Sequence, residues 1–156
     1  MKRLKDLMFP AIVVAGIAIF ALSGRNAAAG SDYQFAGEPE VVAATFSSAW
    51  CSSCKILKPR LADVIPDFAE QPVKFVEFDF TFGQREEIYE QAEAEGLGDL
   101  YPRYKGATGF TLLIDKETGE IIDMLTINHS KRAMRAAIAQ AVALASRDSE
   151  EVALAQ

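Results

Sequence analysis

Runs of apolar residues predict the strands of this chain. Residues 41–46, VVAATF, form a short unbroken apolar run, which is typical of a strand buried on both faces. Residues 73–80, VKFVEFDF, have the aromatic and β-branched content of a second buried strand. Within residues 110–127, two apolar runs flank the polar stretch DKETGE. Gly119 in that stretch indicates a turn, so these two runs predict a hairpin.

Two helices are predicted between the strands. Across residues 54–70, apolar residues recur at steps of three and four, so one face of a helix there is apolar. Pro59 and Pro66 should bend or interrupt this helix, because proline removes a backbone hydrogen bond. Residues 83–98 predict a polar helix that ends at one of their last two glycines.

The last helix completes the order strand, helix, strand, helix, hairpin, helix. Ser130 can cap an amphipathic helix over residues 130–145. Strands separated by helices imply a parallel pair, and the hairpin adds antiparallel strands. We therefore expect an α/β domain over residues 41–146, with a mixed central sheet and helices on both faces. Residues 30–40 are expected to be a linker, and residues 147–156 a flexible acidic tail.

Residues 1–29 have the pattern of an export segment. They begin with cations, continue with an apolar run over residues 7–22 and end in alanines at residues 27–29 that fit a cleavage site. The run is shorter than the roughly 20 residues of a membrane-spanning helix, so both a cleaved signal peptide and a retained membrane anchor stay open. We expect an exported protein that is periplasmic, either soluble or tethered to the inner membrane.

Length and charge narrow the class of protein. A chain of 156 residues, half of them hydrophobic, can bury one core and is too short for two ordinary domains. Removal of residues 1–29 would take away four cations and one carboxylate, which changes the formal net charge from −6 to −9. Such an acidic chain is a poor partner for nucleic acid or for an anionic membrane surface.

Both cysteines of the chain lie two residues apart in the stretch SSAWCSSCKILKP. A Cys51–Cys54 bridge would close a very short loop and stabilise the fold little, so the spacing favours redox use. Cys51 falls where a strand runs into a helix, and free backbone N–H groups there favour a thiolate. Cys54, one turn into the helix, is placed to attack a mixed disulfide formed on Cys51.

The stretch WCSSCKILKP resembles the thioredoxin-fold family, with its Trp-Cys-x-x-Cys-Lys motif and a helix-kinking proline at Pro59. The strands, hairpin and last helix follow in the family's order, and the resemblance extends over residues 41–145. It implies a thioredoxin-like three-layer fold and a monomeric thiol–disulfide oxidoreductase without a bound cofactor. The expected partners are protein thiols or disulfides, and a membrane electron carrier is a further candidate.

Neighbours of the two cysteines are candidate supporting residues. Trp50 is expected to pack beside the sulfurs. Ser52 and Ser53 offer two hydroxyls that could donate hydrogen bonds toward a thiolate, and such stabilisation would make the pair more oxidising.

The chain departs from the family at the cis-proline before the third strand. Phe110, preceded by Gly109, occupies that place. Either Gly109 lets the backbone take an equivalent substrate-binding conformation, or the site is more open and the thiolates can accept a metal. Phe110 could also form an apolar patch for a protein partner.

A second departure concerns the charged residues that relatives place behind the second cysteine. Thr45 corresponds to the family's aspartate, and Glu77 corresponds to its lysine. If Glu77 is buried behind Cys54, it can accept the proton of that thiol. The alternative is an outward glutamate on a partly exposed strand.

His129, the only histidine, leaves a second function open. A loop histidine is usually solvated, but with Cys51 and Cys54 it could complete a three-ligand site for copper or zinc. The alternative function is therefore a copper or zinc carrier that uses the same two thiolates.

Overall fold

Within residue 35 and residues 37–154, which the computed structural model describes, four strands form one mixed sheet. They are β1 (Val41–Ser47), β2 (Val73–Asp79), β3 (Phe110–Asp115) and β4 (Ile121–Leu125). Their order in the sheet is β2-β1-β3-β4. β1 runs parallel to β2 and antiparallel to β3, and β3 and β4 form an antiparallel hairpin. The predicted parallel pair and hairpin are confirmed.

Burial along the first two strands follows their places in the sheet. β1 has a neighbour on each side, and all seven of its residues are buried. β2 pairs only with β1 among the described strands, and buried positions such as Val73, Phe75 and Phe78 alternate with more exposed ones. The second predicted strand is present but partly exposed, because an edge strand is covered less completely than a central one.

The helices of the described region are bounded as follows: α1 (Cys54–Ala62), a short 3-10 helix (Ile65–Phe68), α2 (Glu86–Ala94), α3 (Tyr101–Tyr104) and α4 (Lys131–Leu154). Pro59 lies inside α1, which ends three residues later, and Pro66 lies in the first turn of the 3-10 helix. The predicted interruption of the first helix is therefore confirmed. α2 ends shortly before Gly96, whose φ of 75° suits a helix end.

Helices cover both faces of the sheet. On one face, Leu57 and Leu61 of α1 and Ile138 of α4 pack with Val41 and neighbouring strand residues. On the other face, residues of α2 and α3 pack with a second set of strand residues, which includes several phenylalanines. The three-layer α/β arrangement expected from the order of elements is confirmed.

The structure describes the last helix of the predicted domain but not the predicted export segment. Ser130 caps α4, since its hydroxyl accepts a hydrogen bond from the Ala133 N–H at 3.2 Å. α4 continues beyond residue 146, and residues 147–154 of the predicted tail are helical. The predicted export segment, residues 1–29, lies outside the described residues. None of the described helices is both long enough and apolar enough to cross a membrane.

Candidate active site at the cysteine pair

The two cysteines lie at the carboxyl end of the central strand. β1 ends at Ser47, and α1 begins at Cys54. The short connection between them places Cys51 just before the helix. Cys51 and Cys54 form a disulfide, with their Cα atoms 5.2 Å apart. The sheet therefore presents the disulfide at the amino-terminal end of a helix, as the sequence predicts.

The two sulfurs occupy different environments. Cys51 is half-buried, whereas Cys54 is only 2% exposed. The backbone N–H of Cys54 donates to the Cys51 Sγ at 3.0 Å, and the Cys54 Sγ lies 3.9 Å from the carbonyl oxygen of Phe46. A donor aimed at the Cys51 Sγ from the first turn of a helix stabilises negative charge on that sulfur. A reacting molecule can thus approach Cys51 more easily than Cys54.

Hydrogen bonds from Ser52 and Ser53 toward a thiolate stay a prediction, because the two sulfurs are joined in a disulfide here. Ser52 is exposed and Ser53 half-buried, and neither hydroxyl hydrogen-bonds to any described group in this disulfide form. Among the described residues, the hydrogen bond to the Cys51 Sγ comes from the backbone of Cys54.

Gly109 brings backbone against the disulfide. It is buried, its φ is +101°, and its N–H donates to the Phe46 carbonyl at 2.8 Å. A Cβ at this position would lie 2.9 Å from the Ser53 Cβ and 3.4 Å from the Cys51 Sγ. Both the conformation and the space require glycine. The described peptide bonds are all trans, so Phe110, which holds the place of the family's cis-proline, follows Gly109 through a trans bond.

Phe110 packs against the core with part of its side chain. Its ring stacks on Phe46 with centroids 5.0 Å apart and contacts Tyr104 at 5.8 Å. Phe110 is only partly buried there, at the first position of β3 and opposite Phe46 of β1, and an apolar patch for a partner at Phe110 stays a prediction.

Trp50, directly before Cys51, and Phe82, directly after Thr81, are exposed aromatic residues. Trp50 is 80% exposed and Phe82 is 81% exposed. The Trp50 indole N–H donates to the Thr81 carbonyl at 3.2 Å, and the Ala49 N–H donates to the Thr81 hydroxyl at 2.8 Å. Trp50 thus packs less than expected, and sequence reasoning missed Phe82. Its period-two spacing after Phe78 and Phe80 could have drawn attention to it.

Asp79 holds Thr81 in place. The carboxylate Oδ1 accepts hydrogen bonds from the Thr81 N–H at 2.8 Å and from the Thr81 hydroxyl at 2.5 Å. The hydroxyl bond is the main reason that the pKa of Asp79 is lowered. Partial burial opposes this shift, while the backbone bond and the charges of Lys58 and Arg85 add to it. Asp79, Thr81 and Ala49 therefore form a polar clasp between the end of β2 and the loop that leads to Cys51.

The residues behind Cys54 are mostly neutral. Thr45 is buried and hydrogen-bonds to Thr111 at 2.8 Å, so a neutral pair stands where relatives place a charge. The Glu77 side chain is 40% exposed, accepts a hydrogen bond from Ser47 and pairs with Lys58 at 2.5 Å. The hypothesis that Glu77 is buried behind Cys54 is wrong, because β2 is at the edge of the described sheet.

A cavity of about 320 Å³ adjoins the buried sulfur. Its lining consists of Ser47, Ser48, Ala49, Cys54, Lys55, Lys58, Pro59 and Asp79. Three of these residues, Lys55, Lys58 and Asp79, have side chains that carry charge.

His129 lies in the loop before α4. Its Nδ1 accepts a hydrogen bond from the Thr126 N–H at 3.1 Å, and its carbonyl accepts one from Arg60 at 3.2 Å. In the described part of the chain, no three or more His, Cys, Asp or Glu residues are grouped to hold a metal ion. The three-ligand site of Cys51, Cys54 and His129 is therefore not assembled.

Comparisons with known proteins add to this geometry. A family model described as Thioredoxin matches residues 32–127, more than half of the chain. A search of curated proteins finds no significant match.

Several solved structures are similar to this chain at low sequence identity. A thiol:disulfide interchange protein of the thioredoxin family from Chlorobium tepidum TLS is 19% identical, with 66% of this chain and 80% of that chain covered and a TM-score of 0.47. StoA from Bacillus subtilis is 18% identical, with coverages of 65% and 84% and a TM-score of 0.45. A mutant thioredoxin from Halobacterium salinarum NRC-1 is 22% identical, with coverages of 67% and 76% and a TM-score of 0.41.

Proposed function

This chain belongs to the thioredoxin family, and on that premise we propose that its Cys51–Cys54 disulfide is exchanged with protein partners outside the cytoplasm. The chain is a thiol–disulfide oxidoreductase of that family. The observation that supports the assignment of roles is the asymmetry of the pair: Cys51 is accessible at the start of α1, and Cys54 is buried.

The exchange runs through a mixed disulfide. A thiolate of the partner attacks the Cys51 Sγ, the Cys51–Cys54 bond breaks, and Cys54 leaves as a thiolate that takes up a proton. A second partner thiolate then attacks the partner's own sulfur in the mixed disulfide and expels Cys51. The partner has lost two electrons and gained a disulfide, and the pair has been reduced. The reverse sequence begins with attack by the Cys51 thiolate on a partner disulfide and ends with attack by Cys54.

Three features of the site serve these steps. The Cys54 N–H and the amino-terminal end of α1 stabilise the charge on Cys51 in the thiolate state. The backbone at Gly109 lies against the disulfide without a side chain and leaves room for the partner's chain beside Cys51. The cavity at Cys54, lined also by Lys58 and Asp79, offers a route for the proton.

Matched serine variants test the roles of the two cysteines. With a protein disulfide as substrate, Cys51→Ser should form no mixed disulfide, and Cys54→Ser should form one that accumulates because nothing resolves it. Turnover should fall below detection in both variants. The species are counted on non-reducing gels and by mass spectrometry after thiol alkylation. Accumulation in Cys51→Ser instead would reverse the roles, and turnover in both variants would remove the pair from the reaction.

The location outside the cytoplasm rests on the pattern of residues 1–29. The full chain, produced in a bacterium with two membranes, should appear in the periplasmic fraction or on the inner membrane with its cysteines accessible to an impermeant thiol reagent. Recovery only from the cytoplasm would contradict this proposal and leave the exchange chemistry untouched.

The reduction potential of the pair sets the direction of electron flow. A potential near about −270 mV would indicate a reductant supplied by a membrane electron carrier, and one near about −120 mV would indicate an oxidant of exported proteins. Equilibration with glutathione, followed by counting of free thiols, measures it.

A further inference from the structure

We propose that two side chains, Asp123 and His129, close the outer edge of β4 and so prevent a second copy of this chain from adding a strand there. The outer edge is the side of β4 that faces away from β3. The inference goes beyond the proposed exchange and does not depend on it, because it concerns association between copies of the chain and not the disulfide.

β4 has the features of a strand that readily pairs with another chain. Among the described strands, β4 pairs only with β3. Residues 121–127, IIDMLTI, contain five apolar residues and a single charge, that of Asp123. Met124 is 37% exposed, and Ile127 is 36% exposed. An exposed apolar edge strand is a template for strand addition, and antiparallel pairing about a two-fold axis would join β4 to its own copy.

Side chains of the same chain occupy the backbone donors along the outer edge. In an antiparallel pair, successive residues direct their N–H groups alternately toward the partner strand and away from it. The Met124 N–H donates to the Asp123 carboxylate at 2.7 Å, so it is one of the outward groups. Thr126, two residues further on, has its N–H on the same side, and this group donates to the His129 Nδ1 at 3.1 Å.

A tight turn holds His129 where it accepts this bond. The His129 N–H donates to the Thr126 carbonyl at 3.0 Å, and the Asn128 N–H donates to the Thr126 hydroxyl at 3.3 Å. Arg60 of α1 donates to the carbonyl oxygens of Ile127 at 2.7 Å and of His129 at 3.2 Å. The turn is therefore fixed both by its own residues and by α1.

A strand from a second copy would have to displace the two side-chain acceptors before it formed its own bonds. Each outward N–H already has an acceptor, so strand addition exchanges one hydrogen bond for another and gains little free energy. Without the two acceptors, a second copy would satisfy both N–H groups and would also remove apolar surface of Met124 from water.

Matched double variants of the full chain test the inference. Asp123→Ala with His129→Ala removes both acceptors, whereas Asp123→Asn with His129→Asn keeps a side-chain oxygen acceptor at each position. Light scattering after size exclusion measures the average mass over a range of concentrations. We expect the mass of the alanine variant to rise with concentration toward that of two chains, relative to the natural chain under the same conditions. The asparagine variant should behave as the natural chain does.

Two results of this comparison would overturn the inference. The first is an alanine variant with the mass of the natural chain at every concentration. The second is an asparagine variant that associates as strongly as the alanine variant, because the lost charge and not the lost acceptors would then be responsible.

Hydrogen exchange in the natural chain gives a test that needs no folded variant. In dilute solution, the Met124 and Thr126 amides should exchange about fivefold more slowly than in an unstructured peptide of the same sequence, the factor that corresponds to about 1 kcal/mol for one hydrogen bond. Exchange as fast as in the peptide would show that the two side chains do not hold these N–H groups and would overturn the inference. Protection that develops only at high concentration would overturn it too, because a second copy would then already cover the edge.

Discussion

Phe78, Phe80 and Phe82 are the same residue at a spacing of two, yet they have opposite environments. Phe78 is fully buried and Phe80 is 6% exposed, whereas Phe82 is 81% exposed. Phe78 and Phe80 contact Phe46 within the core on one face of the sheet. Side chains therefore alternate between the two faces of the sheet only as long as the chain continues in the sheet.

The change occurs where β2 ends. The Phe80 N–H still donates at 2.8 Å to the carbonyl of Ser47, the last residue of β1. Thr81 then bonds back to the Asp79 carboxylate, and the Gly83 N–H donates to the Phe80 carbonyl at 2.9 Å. These bonds turn the chain, so Phe82 no longer lies over the sheet. The same residue type supplies core packing before the turn and accessible apolar surface after it.

The largest expected difference between the buried Phe78 and the exposed Phe82 is in the free energy of unfolding. Phe78→Ala should lower the free energy of unfolding by about 3–5 kcal/mol, because it removes a buried ring and leaves a cavity. Phe82→Ala should change it by no more than about 0.5 kcal/mol, as is usual for an exposed side chain. Urea unfolding followed by circular dichroism measures both. Similar losses in the two variants would show that Phe82 packs against the fold in solution.

A smaller effect on stability is expected when the hydrogen bonds of the polar clasp are removed. Thr81→Val keeps the shape of the side chain but loses the hydroxyl that joins Ala49 to Asp79. The loss should destabilise the protein by about 0.5–1.5 kcal/mol, the usual net value of a hydrogen bond, and should shift the emission of Trp50, the only tryptophan.

Thr118→Val is the control for this experiment. Thr118 accepts a hydrogen bond from Glu120 in the hairpin turn, and its replacement should leave the Trp50 emission unchanged. An unchanged emission in Thr81→Val as well would mean that the clasp does not position Trp50.

The smallest expected effect is a pH dependence of the same clasp. The pKa of Asp79 in the folded protein is lowered below its ordinary value of 3.8, mainly by the Thr81 hydroxyl. The unfolded chain therefore binds the proton more readily, and the carboxylate contributes stability above about pH 4 that is lost as the pH falls through the lowered pKa. Trp50 emission should show an acid transition in the natural chain that Asp79→Asn lacks. A transition of the same size in both would assign it to another group.

Local patterns in the sequence were sufficient for most of the fold. The unbroken apolar run of β1, the hairpin around Gly119 and the helix capped by Ser130 all have local causes: side-chain period, turn residues and capping groups. The redox pair was likewise recognisable, because two cysteines at this spacing between a strand and a helix have few other uses. These features depend on residues close in the chain, so the sequence by itself determined them.

The surroundings of the disulfide were decided by the tertiary structure. Glu77 is partly exposed because β2 lies at the edge of the described sheet, and Phe110 is covered because its strand pairs it with Phe46. The loop that carries Trp50 is held against the end of β2 because Ala49 and Trp50 both donate to Thr81, about thirty residues away in the chain. Local sequence pattern did not reveal these contacts, since the burial of a side chain depends on which distant segments fold against it.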